Sequence, residues 1–148
     1  MTNTTVSLDE FNELIASVVA SIATADFQPD TILALSTGGF PVAAALAKRL
    51  AINSRNVVGL PAYKDEIGDY QLDDRIVQLQ NCAALRVLVV DDASNRGLLT
   101  RKAVQAVEMH GGTAKSCVLV AWKDGIQPDF VGRTCDGKPP KFFWEGAD

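Results

Sequence analysis

RVLVVDDASNRGLLTRKAVQAVEMHGG, residues 86–112, decides the fold. Val87 to Val90 is an unbroken β-branched and aliphatic run, the pattern of a central strand covered on both faces of a parallel sheet. Asp91 and Asp92 follow at once, so the strand is read as ending on two acids, with a helix starting within one short loop. Thr100 to His110 has helical spacing, and Gly111 or Gly112 stops it. In open α/β sheets ligands gather outside the carboxyl ends of the strands, where loop amides and the positive end of the next helix meet an anion. Two carboxylates in that place repel a bare phosphate. They suit a divalent cation or ribose hydroxyls, with the anion cradled by Ser94 to Gly97. A solvated turn after a core strand is the alternative that this stretch alone leaves open.

Working outward, helices and strands alternate without internal repeats, an α/β signature. Ser7 followed by Glu10 reads as a capping box, and Leu8, Phe11, Leu14, Ile15, Val18, Val19 and Ile22 make the apolar stripe of a packing helix to about Ala25. Pro29 and Asp30 break it. Thr31 to Leu35 reads as a second buried strand that ends on Ser36-Thr37-Gly38-Gly39, and Pro41 sits where a first helical turn tolerates it before the helix of Val42 to Leu50. Asn56 to Leu60 is a short strand. Tyr63 to Arg75 is polar and without a clear period, which fits a mobile loop or an excursion of the sheet. Lys115 to Trp122 is a further strand. The Pro-, Gly- and aromatic-rich tail from Lys123 to Asp148 reads as a small lid that folds back and does not extend the sheet.

Composition narrows the class. The chain has 148 residues, 47% of them hydrophobic and 22% charged, which suits one globular domain with a proper core. No apolar run approaches a membrane span, and the start, MTNTTVSLDEF, lacks the regions of a secretory signal, so a cytoplasmic protein is expected. Cys82, Cys117 and Cys135 are widely spaced, and a single His110 cannot complete a zinc set. A net charge of −4 without a basic block argues against nucleic acid as partner and favours a small molecule.

Two strand-loop-helix units thus carry loops of unlike chemistry. Paired glycines let the backbone approach an anion closely, although a tight turn before a helix would also use them. Facing one crevice, the two loops could share a polyphosphate and its metal. Neither is a P-loop, since no G-K-[ST] follows, and neither is the G-x-G-x-x-G dinucleotide fingerprint.

These residues resemble the type I phosphoribosyltransferases, and among them the xanthine, guanine and hypoxanthine salvage enzymes. Val87 to Gly97 is similar to the family's apolar strand, acid pair and phosphate loop. Ile32 to Leu50 is similar to its pyrophosphate loop and following helix, and Lys123, Pro128-Asp129-Phe130 and Phe143-Trp144-Glu145 look like its purine-binding hood. The resemblance implies a parallel sheet flanked by helices with a small C-terminal hood, a single domain over 1–148 with its core at 7–122 and its hood at 123–148. It implies transfer of 5-phosphoribose from 5-phosphoribosyl pyrophosphate (PRPP) to a 6-oxopurine, with Mg2+, in a homodimer. Asp91 and Asp92 would then hold the ribose hydroxyls or magnesium-bound water. The segment Asp91, Asp92, Ala93, Ser94, Arg96, Gly97, Leu98 and Leu99 would bind the ribose phosphate, with the amides from Ser94 onward on the 5-phosphate. Thr37, Gly38 and Gly39 would meet the pyrophosphate. Lys123 would donate to the purine oxygen, Phe130 or the nearby tail would form the base pocket, and the segment from Tyr63 takes the place of a catalytic flap.

The departures from the family pattern point elsewhere. Asn95 stands where purine enzymes usually have an aspartate acting as general base, and an amide cannot take a proton. Such groups contribute roughly 10²–10⁴ in rate. Arg96, Leu98 and Leu99 replace hydroxyl-bearing or small residues, with Arg96 able to serve as a direct phosphate ligand. Thr37 replaces a basic residue, and Pro139 stands near the position of a base-stacking aromatic. A catalytically weakened nucleotide- or ribose-phosphate-binding regulatory protein is therefore the second reading. A third is a receiver domain, which the run from Val87 to Val107 resembles locally. Too little chain follows Asp92 to supply its phosphoacceptor strand, and the diglycine unit would have no role.

Overall fold

The computed structural model describes residues 5–35, 37–73 and 81–146. Ser36, Asp74 and Arg75, which belong to the two loops read from the sequence, lie outside them.

Helix α1 (Leu8–Thr24) starts where Ser7 Oγ accepts the Glu10 amide at 3.2 Å. Only half of the expected capping box forms, because the Glu10 carboxylate turns away to Arg133 Nε at 2.6 Å and ties the helix to the far strand of the sheet. The buried stripe Phe11, Leu14, Ile15, Val18 and Ile22 is the one that helical spacing selects. Strand β1 (Thr31–Leu35) is buried throughout, and α2 (Gly39–Arg49) follows after one turn. Next come β2 (Val57–Leu60), the short strands β3 (Ala62–Lys64) and β4 (Tyr70–Leu72), and β5 (Arg86–Ser94). Helix α3 (Leu98–Met109), β6 (Thr113–Trp122) and β7 (Phe130–Cys135) complete the core.

Five strands form one sheet in the order β2-β1-β5-β6-β7, every neighbouring pair parallel. Alternation along the buried strands divides the core. Ile32, Ala34, Leu88 and Val90 pack with α1 and α2, whereas Leu33, Leu35, Val87 and Val89 pack with Ala103 and Val107 of α3. Because β1 has β2 on one side and β5 on the other, the winding direction reverses between β1 and β5. That reversal opens a crevice at their carboxyl ends.

The polar segment is an excursion. β3 and β4 pair antiparallel as a separate two-stranded ribbon. Its turn is fixed by Asp65, whose Oδ1 accepts the amides of Ile67 (3.1 Å) and Asp69 (2.9 Å) and whose Oδ2 accepts Gln71 Nε2 (3.0 Å).

The C-terminal part differs from the lid read in the sequence. β7 extends the main sheet as its fifth strand, pairing from Cys117↔Phe130 to Trp122↔Cys135. The sheet therefore crosses the boundary drawn at residue 123. Gly132 and the charged Arg133 hid the strand, and an edge position next to α1 makes both tolerable: Arg133 has Glu10, and the absent Gly132 side chain leaves room for Leu14. The last segment packs on the start of α1. Val6 and Phe142 form a parallel bridge, Val6 N donates to Lys141 O at 2.8 Å, and Phe143 N donates to Val6 O at 2.9 Å. Phe142 is buried and stacks on Trp144 at 4.5 Å, while Phe11 meets the edges of Phe143 and Trp144.

Candidate active site

The acid pair and the diglycine turn meet. The β1–β5 ladder ends at Ala34↔Val90, one pair before Asp91, while Leu35, the last residue of β1, pairs on with Leu60 of β2. On the other side the ladder with β6 continues through Asp91↔Val118 and Ala93↔Val120 to Ser94↔Ala121. The strand thus runs through the acids instead of ending on them. The turn into α2 packs against this end of β5. A Cβ placed on Gly38 would fall 2.5 Å from Asp92 Cγ and 2.6 Å from its Oδ1, and one on Gly39 would fall 2.5 Å from Val90 O. Glycine is required there by proximity, not by torsion, since Gly38 has φ −63° and ψ −26°. The diglycine turn therefore meets the Asp92 carboxylate and the carbonyl that precedes Asp91, and Thr37 before it is exposed.

The carboxylates are held by their own main chain. Asp91 Oδ1 accepts the Asp92 amide at 2.9 Å, and Asp92 Oδ1 accepts the Ala93 amide at 2.7 Å. Burial pushes the Asp91 carboxyl well above the usual carboxylate range, and the neighbouring Asp92 charge pushes it further. Burial also raises Asp92, opposed by hydrogen bonds from Asp91 and the Ala93 amide and assisted by the charge of Glu145. That last effect places the C-terminal turn within electrostatic reach of the pair.

Ser94 closes β5 with its side chain buried, so the loop before α3 consists of Asn95, Arg96 and Gly97 and is shorter than the Ser94 to Gly97 cradle read from sequence. Asn95 and Arg96 are exposed. Gly97 takes φ +84°, and a side chain there would strike the main chain of Ile126. No side chain caps α3. The opening amides of a helix have no partner within it, so Leu98 and Leu99 bring unpaired donors and the positive dipole end to the crevice. Ala93 lies between the acids and this loop, partly buried.

Lys123 follows β6 at the same sheet edge. Its amide donates to Cys135 O at 3.0 Å, and its Nζ pairs with Asp136 Oδ1 at 2.5 Å. The loop behind it clasps the phosphate-side loop: Ile126 N donates to Arg96 O at 2.8 Å, and Gly125 lies against the main chain of Asn95 and Arg96. Asp136 and Ile126 were not singled out from sequence. The Asp136-Gly137 turn after a strand is a recognisable signal, whereas the clasp has none in one dimension. Pro139 lies partly buried in the segment leading to the bridge with Val6.

Phe130 must be withdrawn from the base pocket. It opens β7, level with Cys117 and hence with Val90, and its buried ring faces Phe27 at 6.4 Å with Lys115 Nζ above both.

The donor set can be tested against a metal. Two adjacent, partly buried carboxylates are hard oxygen ligands that suit Mg2+, which commonly takes one or two carboxylates and completes its shell with water and substrate phosphates. Among the described residues no group of three or more His, Cys, Asp or Glu forms a self-sufficient metal cage. No disulfide joins the three cysteines, and no described helix is long and apolar enough to cross a membrane.

A diglycine turn after one strand, twin acids on the next and an uncapped helix start meet at the switch point of a parallel α/β sheet, the edge at which such domains bind their ligands. The chain belongs to the phosphoribosyl transferase domain family, whose profile matches residues 2–145. No curated protein sequence matches it significantly. In three dimensions it is similar to the purine phosphoribosyltransferase of Pyrococcus horikoshii Ot3, with 18% identity over 99% of this chain and 97% of the other and a TM-score of 0.77. A hypothetical protein from Neisseria gonorrhoeae with bound ppGpp gives 19% identity, 96% and 88% coverage and a TM-score of 0.77. The Helicobacter pylori xanthine-guanine-hypoxanthine phosphoribosyltransferase gives 16%, 93% and 90%, and 0.74. At these identities the likeness is one of fold, and the five-stranded parallel sheet flanked by helices is the type I phosphoribosyltransferase fold.

Proposed function

We propose that this domain transfers 5-phosphoribose from PRPP to a 6-oxopurine base. The observation that supports it most directly is the seating of Gly38 against the Asp92 carboxylate at the ends of adjacent parallel strands. In this reading the first turn of α3 and Arg96 bind the 5-phosphate, and Thr37, Gly38 and Gly39 receive the pyrophosphate. Asp91 and Asp92 would hold the ribose hydroxyls and a Mg2+ bound with PRPP, and that ion would supply positive charge to the leaving pyrophosphate. Lys123 donates to the exocyclic oxygen of the base, and Pro139 and the C-terminal turn border the base. The cytoplasmic setting and the homodimer follow from the family likeness and belong to the same proposal, as does the flap role of the β3–β4 ribbon.

Asn95 favours a second reading, a nucleotide-binding regulatory protein with little turnover. An amide at that position hydrogen-bonds a purine nitrogen but cannot accept its proton. The N. gonorrhoeae neighbour with bound ppGpp supports the same side. Incubation with PRPP, Mg2+ and each purine separates the two: nucleotide formation supports transfer, and tight ligand binding without product supports the regulatory role. Asn95→Asp should raise turnover by about 10²–10⁴ if position 95 is the vacated base position. An unchanged rate with intact binding removes that assignment.

A further inference from the structure

Lys123 is held at two points, by the last residue of β7 and by the turn that follows it. Its amide donates to Cys135 O at 3.0 Å, and its Nζ reaches Asp136 Oδ1 at 2.5 Å. Gln127 stitches the intervening turn through Nε2 to the carbonyls of Trp122 (2.9 Å), Gly125 (3.1 Å) and Lys123 (3.3 Å). The main chain of Lys123 is thereby fixed, and the Ile126–Arg96 hydrogen bond of 2.8 Å fixes it to the loop that starts α3. What remains undetermined without a partner is the direction of a four-carbon side chain. Asp136 supplies that partner.

The pair does not serve the stability of the fold. Both side chains are largely in water, Lys123 56% and Asp136 83% exposed, and ion pairs of that kind contribute little. Asp136 also raises the Lys123 ammonium above the ordinary lysine range, through its hydrogen bond first and its charge second. One of the three N–H donors is taken by Asp136, so two remain for an acceptor in the crevice. A carbonyl-bearing purine offers such an acceptor. An amino-bearing purine places a donor against a donor.

Resting on the reading of the site given above, in which Lys123 meets the base, we propose that Asp136 is a positioning residue: by holding Lys123 Nζ at the carboxyl end of β6, it sets the preference for 6-oxopurines over 6-aminopurines. Without it, binding must immobilise the lysine, at a cost that corresponds to about a two- to twelve-fold loss of affinity.

The test is calorimetric titration of the wild type, Asp136→Asn and Asp136→Glu with inosine 5′-monophosphate, adenosine 5′-monophosphate and PRPP, each with Mg2+, alongside thermal melts. Asp136→Asn should weaken inosine monophosphate by about two- to twelve-fold. Adenosine monophosphate and PRPP affinities and the melting temperature should stay put, and Asp136→Glu should restore the preference. A purely structural role would instead lower all three affinities together with the melting temperature. That result, or an unchanged ratio of inosine to adenosine monophosphate affinity, overturns the assignment of Asp136. Wild-type protein that binds neither PRPP nor inosine monophosphate overturns the proposed function itself, and this inference with it.

Discussion

Gly38→Ala probes the contact on which the site depends. The backbone at Gly38, φ −63° and ψ −26°, suits alanine. In a tolerant place the substitution stabilises by about 0.4–1 kcal/mol, because it restricts the unfolded chain. Here the new Cβ would sit 2.5 Å from Asp92 Cγ, against the 3.4 Å at which ordinary contact begins, so the carboxylate must retreat by about 0.9 Å. Overpacking of this kind costs about 1–3 kcal/mol, which leaves a net destabilisation of about 1 kcal/mol and a fall in Tm of about 2–4 °C. The effect on PRPP-dependent activity should be larger than that on stability, since a misplacement near 1 Å can cost about 10²-fold. The decisive measurement is a double-mutant cycle with Asp92→Ala, read by urea unfolding. The three atoms nearest the new methyl all belong to the Asp92 carboxylate, so in the Asp92→Ala background Gly38→Ala should turn stabilising. Coupling of about 1–3 kcal/mol with this reversal of sign is expected. Effects that add within about 0.5 kcal/mol would mean that the two loops do not meet.

Two further expectations concern the acid pair and the C-terminal segment. Asp91 is raised in the folded state by burial and by Asp92, so the native protein holds a proton that the unfolded chain releases sooner. Its contribution to stability is full below the ordinary aspartate range and is lost as pH climbs to the raised native value. Asp91→Asn should therefore gain in melting temperature relative to wild type as pH rises through that window, while losing Mg2+-dependent PRPP binding; parallel pH profiles for the two proteins would refute this. Phe142→Ala removes a ring that is 1% exposed and stacked on Trp144. It should cost about 3–5 kcal/mol in denaturant unfolding and make the segment after β7 sensitive to protease, and a loss below about 1 kcal/mol would show the segment to be dispensable.

The elements legible in the sequence were those whose burial follows a period. β1 and the first half of β5 are covered on both faces and read as apolar runs, and α1 shows its stripe and its Ser7 cap. What escaped depends on partners distant in the chain. β5 continues past its acids because β6 goes on pairing with it, and no local pattern announces that Asp91 and Asp92 lie inside a ladder. β7 was hidden because Arg133 looks like loop until Glu10 is seen beside it, 123 residues away in sequence. Phe130 shows a related limit: its ring lies against Phe27 and under Lys115 Nζ, contacts between distant parts of the chain that spacing does not encode. The crevice was legible in outline, since two loops after buried parallel strands must open at one edge. Its finer parts, the Ile126–Arg96 clasp and the Asp136 hold on Lys123, arise from pairings that spacing does not encode.

The extension of β5 through the acid pair divides this crevice into a fixed half and a tunable half. The main chain of Asp91 and Asp92 lies within the ladder with β6, which fixes their Cα positions while the carboxylates can still turn. Asn95, Arg96, Leu98 and Leu99, four of the six positions at which the sequence differs from the pattern it resembles, lie beyond the strand, in a loop and helix start that the sheet does not use for its own cohesion. Redesign of the domain has its freedom there, with the main chain of the twin acids as the fixed reference against which new loops are fitted.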